Sequence, residues 1–124
     1  MKIMLVDDDA DDVALMLEVI HEINPTLDCD VAGDGEEALR MLERGFIPAL
    51  IFLDINMPKM DGRACLRAIR SRFQTVPIVV VSTSISPKDQ LLCLELKADF
   101  IEKPGTYQSY FPIIRGFLDV LVNN

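Results

Sequence analysis

Residues 49–53, Ala-Leu-Ile-Phe-Leu, run apolar without alternation and end on an acid, Asp54. A short apolar run bounded by turn signals is the pattern of a strand buried on both faces of a parallel sheet. Open α/β sheets place their ligands beyond the carboxyl ends of the strands, so Asp54 stands where chemistry is expected. A single acid there has an equally good explanation, which is that the strand has reached water. Three other apolar runs change the balance. Ile3 to Val6 stops at Asp7 and Asp8, Ile78 to Val81 stops at Ser82, and Phe100-Ile101 leads through Glu102 to Lys103. Four such coincidences are hard to attribute to solvation.

Helical patterns fill the intervals. Val13, Leu17, Val19, Ile20 and Ile23 predict a helix from about 11 to 23, stopped by Asn24-Pro25 because proline disfavours helical geometry in the residue before it. Asp9, Asp11 and Asp12 then lie at its N-terminus, where the macrodipole favours negative charge. Cys29 to Ala32 reads as a short strand near an edge. A second helix runs from Glu36 to Arg44 with Gly45 at its C-cap, and a third spans 62–72. Ser86-Pro87 supplies an N-cap and a first-turn proline for a helix carrying Leu91, Leu92, Leu94 and Leu96. The last helix holds Ile113, Ile114, Phe117, Leu118 and Leu121, and Pro112 predicts that its regular part begins at 109–112. Five strands alternating with five helices predict an α/β fold with a five-stranded parallel sheet and right-handed crossovers. The expected order is 2-1-3-4-5, a flavodoxin-like (βα)5 three-layer sandwich. With no repeat, linker or second composition, residues 1–124 are expected to be one domain without an output domain.

Composition narrows what such a sheet edge serves. At 124 residues, half of them hydrophobic, the chain has enough apolar surface to argue against disorder. Twelve Lys and Arg against twenty Asp and Glu leave a net charge of −8, which repels nucleic acid and anionic membranes. Lys59, Arg63, Arg67, Arg70 and Arg72 are mostly three or four apart, as on a solvated helix face, and form no basic cluster. Cys29, Cys65 and Cys93 are odd in number and lack C-x-x-C spacing. That argues against a disulfide framework or zinc site and for a reducing compartment. The apolar start, Met1 to Val6, is too short for a signal peptide, and no run approaches the roughly 20 apolar residues of a membrane span. The expectation is a cytoplasmic protein whose partners are neither nucleic acid nor membrane.

In the order 2-1-3-4-5, strands 1, 3, 4 and 5 are neighbours, so Asp7, Asp8, Asp54, Ser82 and Lys103 converge on one sheet edge. Carboxylates that close repel one another unless a cation joins them, and hard oxygen ligands select Mg²⁺ or a similar ion. Such a carboxylate beside a lysine and a hydroxyl suits phosphoryl transfer, with Asp54 attacking phosphorus in line while metal and Lys103 neutralise the phosphoryl group.

Val6-Asp7-Asp8, Leu53-Asp54-Ile55-Asn56-Met57-Pro58-Lys59-Met60-Asp61-Gly62, Val81-Ser82-Thr83 and Lys103-Pro104 occur in this order along the whole chain. Together they resemble the signature of the two-component response-regulator receiver domain. The resemblance implies that Asp54 is the phosphoacceptor, that Asp8 and Asp54 ligate Mg²⁺ with the backbone carbonyl of Asn56, and that Asp7 acts through a metal-bound water. It further implies that Lys103 and the Ser82 hydroxyl bind phosphoryl oxygens, that Lys103-Pro104 is a cis peptide, and that Ser82 and Phe100 are switch residues. The implied function is a stand-alone response regulator in phosphorelay signal transduction. It accepts a phosphoryl group from a sensor histidine kinase or phosphotransfer protein, switches a downstream protein target, and catalyses only its own phosphorylation and dephosphorylation. Receivers resembling this one include partners of phytochrome-like kinases and some that associate through this end of the sheet. Tyr107, Tyr110 and Phe111 therefore have two readings. They cover the end of the last helix, or they mark a face of helix 4, strand 5 and helix 5 for a homodimer or target. Phe100 likewise reads as switch or as plain core.

Two other functions suit a related scaffold and fare worse. An aspartate-dependent phosphatase wants a second acid two residues beyond the nucleophile, where Asn56 stands. A flavin carrier wants a phosphate-cradling loop after strand 1, where three aspartates repel the anion. His21 reads as a surface helix residue. Lys97 stands where many receivers have glycine, so a left-handed turn there costs about 1 kcal/mol.

Overall fold

The computed structural model describes residues 1–57 and 61–122, so positions 58–60 of the motif quoted above lie outside the described residues. Its elements are β1 (Lys2–Val6), α1 (Ala10–Ile23), β2 (Asp28–Ala32), α2 (Gly35–Glu43), β3 (Leu50–Asp54), α3 (Gly62–Arg72), β4 (Ile78–Ser82), α4 (Pro87–Glu95), β5 (Asp99–Glu102) and α5 (Tyr107–Val122). The strands pair in parallel in the order β2-β1-β3-β4-β5, as the alternation predicts.

Every residue of β3 and β4 is buried, which is why neither strand alternates in sequence. Successive side chains take opposite faces. Met4, Val6, Ile51, Leu53, Ile78 and Val80 pack with α2, α3 and α4, whereas Ile3, Leu5, Leu50, Phe52, Val79 and Val81 pack with α1 and α5. Two cores thus form the three-layer sandwich. Register levels the carboxyl ends of the central strands, with Leu53 beside Val6, Asp54 beside Val81 and Ser82 beside Glu102.

Side-chain caps set the helix starts. Asp9, Asp34, Asp61 and Ser86 accept from first-turn amides of α1, α2, α3 and α4. Two helices end in the same Schellman arrangement. After α2, Gly45 has φ 94° and Phe46 N–H donates to Met41; after α4, Lys97 has φ 56° and Ala98 N–H donates to Cys93. The expected left-handed turn is therefore present at Lys97, with a Cβ to accommodate.

Helix α5 departs from expectation by starting at Tyr107, with Pro112 inside it. The proline removes one ladder bond, to the carbonyl of Gln108, but both residues are solvent-exposed and that carbonyl is left to water. In α4 only part of the leucine stripe faces inward: Leu92 is buried, while Leu91 and Leu94 are exposed. Cys65 and Cys93 are buried, Cys29 is half-buried, and all three are free. No described helix is long and apolar enough to cross a membrane.

Candidate functional site

Asp54, the last residue of β3, is 6 % exposed. Its Oδ1 accepts the amide of Asn56 at 3.0 Å as the chain turns away from the strand. On the neighbouring strand, the Asp7 amide still donates across to Ala32, while its Oδ1 accepts from the Asp9 amide at 2.9 Å. Asp8 stands exposed beside it. One carboxylate oxygen from each of Asp7, Asp8 and Asp54 lies within 4.8 Å of the others. This all-oxygen donor set fits a hard divalent cation, which would replace carboxylate repulsion with attraction.

Lys103 follows β5, its amide donating to the carbonyl of Ser82 at 2.7 Å. Its ammonium lies 3.8 Å from Asp54 Oδ2, 3.6 Å from Asp7 Oδ2 and 2.6 Å from Asp12 Oδ2. Burial works against that charge, but the Asp12 hydrogen bond and the acids Asp7, Asp54 and Asp12 outweigh it and push the ammonium up to about 12. Burial raises the Asp7 carboxyl to about 6. The Asp9 amide and Lys103 oppose the rise, and Asp54 and Asp12 add to it. The Tyr110 hydroxyl on α5 is raised by burial and feels Asp12, Lys103 and Asp7, so this helix borders the cluster directly.

Ser82 is fully buried at the end of β4. Its hydroxyl donates to the Ser84 carbonyl at 2.9 Å and accepts from Asn56 Nδ2 at 2.9 Å, linking the loops that follow β3 and β4. Asp8, Asp54, Asn56, Thr83 and Lys103 line one open depression. The structure thus brings Asp7, Asp8, Asp54 and Lys103 together, with Asn56 lining the same depression and Ser82 buried behind it on the Asn56 hydrogen bond. Phe100 is set apart on β5 with 37 % of its surface exposed, which removes the plain-core reading.

One expectation needs correction, and one pair of open readings is decided at Tyr110. Among the described residues no peptide is cis, so Lys103-Pro104 is trans, the isomer that an X–Pro bond prefers by about 0.5–1 kcal/mol. Tyr110 is not a surface anchor, for it is 5 % exposed and packs on β1 and β3, whereas Tyr107 and Phe111 are half-buried and meet edge to face at 5.1 Å. Sequence reasoning also missed Asp12, which reads locally as one more acid in a helix's first turn. Nothing local marks a partner 91 residues away.

The family model "Response regulator receiver domain" matches residues 3–114. The transcriptional regulatory protein CpxR of Escherichia coli K12 is 36 % identical over 118 residues, covering 94 % of this chain and 49 % of CpxR. The chain thus spans about half the length of this relative. Among solved structures, the phosphorylated cyanobacterial phytochrome response regulator RcpA superposes with a TM-score of 0.88 at 32 % identity, covering 98 % of this chain and 93 % of RcpA. The Mn²⁺-bound response regulator Rcp1 gives a TM-score of 0.81 at 30 % identity, covering 93 % of this chain and 89 % of Rcp1. The level strand ends, the acid cluster beside a part-buried lysine and the match over 3–114 agree, and the chain belongs to the response regulator receiver domain family.

Proposed function

We propose that Asp54 is the phosphoacceptor of an Mg²⁺-dependent phosphoryl transfer from a histidine kinase or phosphotransfer protein. The observation that carries this reading is the placement of the Asp54 carboxylate, clustered with Asp7 and Asp8 and with the Lys103 ammonium 3.8 Å away. An Asp54 oxygen forms the new bond to phosphorus while the bond to the donor nitrogen breaks, the departing imidazole keeping the electron pair. Lys103 meets the negative charge on the phosphoryl oxygens. The Ser82 hydroxyl, exchanging its bond to the Ser84 carbonyl for one to the phosphoryl group, carries the change into the loop before α4. Asp8, Asp54 and the Asn56 carbonyl would hold Mg²⁺, with Asp7 acting through a bound water. The ion would neutralise the phosphoryl oxygens and relieve the repulsion among the acids.

On this reading the chain catalyses only its own phosphorylation and dephosphorylation and signals through a protein target. The exposed Leu91, Leu94 and Phe100 on α4 and β5 offer the contact surface for a target or a second copy. The likeness to RcpA supports a phytochrome-type kinase as the donor class. Intact mass after incubation with acetyl phosphate and Mg²⁺ tests the central step. One added phosphoryl group is expected on the wild type and none on Asp54→Asn. An unchanged wild-type mass would overturn the reading.

A further inference from the structure

Asp12 has no role in that reaction, yet it makes the shortest contact of Lys103: 2.6 Å, against 3.6 Å to Asp7 and 3.8 Å to Asp54. A first-turn acid is ordinarily explained by the helix dipole. Here Asp9 already caps α1, accepting from the amides of Asp11 and Asp12, so the Asp12 carboxylate is not needed as a cap. It reaches instead across to the residue after β5. The contact is shielded, with Lys103 12 % and Asp12 33 % exposed. A cavity of about 20 Å³ beneath it is walled by Leu5, Met16, Phe52 and Tyr110. A charge pair against such a wall is stronger than one in open water.

Lys103 therefore has three carboxylate partners, Asp12 on α1, Asp7 just beyond β1 and Asp54 on β3, and of these Asp12 competes directly with the one that would carry the phosphoryl group. Phosphorylation turns the singly charged Asp54 carboxylate into an acyl phosphate of charge near −2, a net gain of about one negative charge and three acceptor oxygens on one side only, which tips the competition toward Asp54. We propose that Asp12 is a positioning residue that detains Lys103 against α1 in the unphosphorylated chain and releases it when Asp54 is phosphorylated. Phosphoryl transfer is thereby coupled to the first turn of α1 and, through the Tyr110 side of the cavity, to α5. The inference rests on Asp54 being the phosphoacceptor. It carries a sign that a structural role does not share: a competitor's removal strengthens phosphoryl binding.

Beryllium fluoride, titrated at saturating Mg²⁺ into wild type, Asp12→Asn, Lys103→Met and the double variant, tests this. Asp12→Asn, isosteric and still capped by Asp9, is expected to bind about fivefold more tightly than wild type. The gain should vanish in the Lys103→Met background. Equal or weaker binding overturns the proposal, and so does a gain that persists without Lys103, since that is only the loss of a nearby negative charge. In the wild-type chain, the Asp12 carboxyl carbon resonance should move on adding beryllium fluoride and stay fixed in Lys103→Met; a resonance indifferent to the ligand in wild type also overturns it. Folded wild type that binds no beryllium fluoride at all overturns the Asp54 reading first, and this inference with it.

Discussion

Arg63 and Asp89 join the start of α3 to the start of α4 by a two-point ion pair, Nε to Oδ1 at 2.6 Å and Nη2 to Oδ2 at 2.7 Å. Each residue is also tied into its own helix cap. The Arg63 amide donates to Asp61, and the Asp89 amide donates to the Ser86 hydroxyl. Helix α3 follows the strand that ends in Asp54, and α4 follows the strand that ends in Ser82. The pair thus sets the spacing of two elements whose loops border the site.

Burial of the pair is unequal, with 6 % of the Asp89 side chain exposed against 39 % of Arg63. Arg63→Ala strands a buried carboxylate and is expected to cost about 2–3 kcal/mol. Asp89→Asn leaves the guanidinium free to reach water and should cost about 1 kcal/mol. The Arg63 hydrogen bonds, assisted by Ser86, hold the Asp89 carboxyl below its ordinary value of 3.8. A lowered carboxylate stabilises the fold above that value and stops doing so as pH falls toward the folded-state value. Urea unfolding should therefore show the full gap between wild type and Asp89→Asn above about pH 4, shrinking as the medium is made more acid. Equal costs for the two substitutions would show that burial does not govern the pair.

Lys97 gives a second expectation. It occupies the same C-terminal position after α4 that Gly45 occupies after α2, at φ 56° against 94°. The turn keeps its lysine backbone through Arg70, whose guanidinium donates to the carbonyls of Leu96, Lys97, Phe73 and Val76. Those bonds do not involve the Lys97 side chain. Lys97→Gly should therefore stabilise by about 0.5–1 kcal/mol, the relief of the left-handed strain less the added freedom of the unfolded chain. Lys97→Val should destabilise. Thermal unfolding reads both, and no rise in midpoint for the glycine variant would mean the turn is not strained.

The site is legible in sequence to the extent that it hangs on strand ends. Asp7, Asp8, Asp54 and Ser82 each follow an unbroken apolar run, and parallel strands joined by right-handed crossovers bring such ends level. Contacts between elements leave no such mark. Asp12 and Lys103 meet across the sheet edge, and Arg63 and Asp89 meet between two helices, with neither spacing tied to a local period. Tyr110 is an intermediate case. Its inward place follows from the spacing of Tyr110, Ile114 and Leu118, all buried at four-residue intervals. Starting α5 at 109–112 on account of Pro112 hid that stripe.

Gly62 ties the fold most directly to the chemistry. It is the first residue of α3, and its amide donates to the Ile55 carbonyl at 3.1 Å, one residue past Asp54. A Cβ added there would stand 2.3 Å from Ile55 Cα and 2.6 Å from the carbonyl oxygens of Asp54 and Ile55. All three are backbone atoms at the end of a fully buried strand, so no side chain is available to swing aside. Gly62→Ala must push α3 off β3 or displace the Asp54 carbonyl, at an expected cost of about 3 kcal/mol. If the variant remains folded, its phosphorylation by acetyl phosphate should slow by about 100-fold, because a shift of about 1 Å in a reacting group has that effect. Gly116→Ala is the matched comparison: nothing lies within 4 Å of its added Cβ, and it sits inside α5. Helix propensity alone predicts that it stabilises by about 0.5–1 kcal/mol and leaves phosphorylation unchanged. A Gly62→Ala chain as stable and as readily phosphorylated as wild type would show that the close approach of α3 to the Asp54 turn is not required.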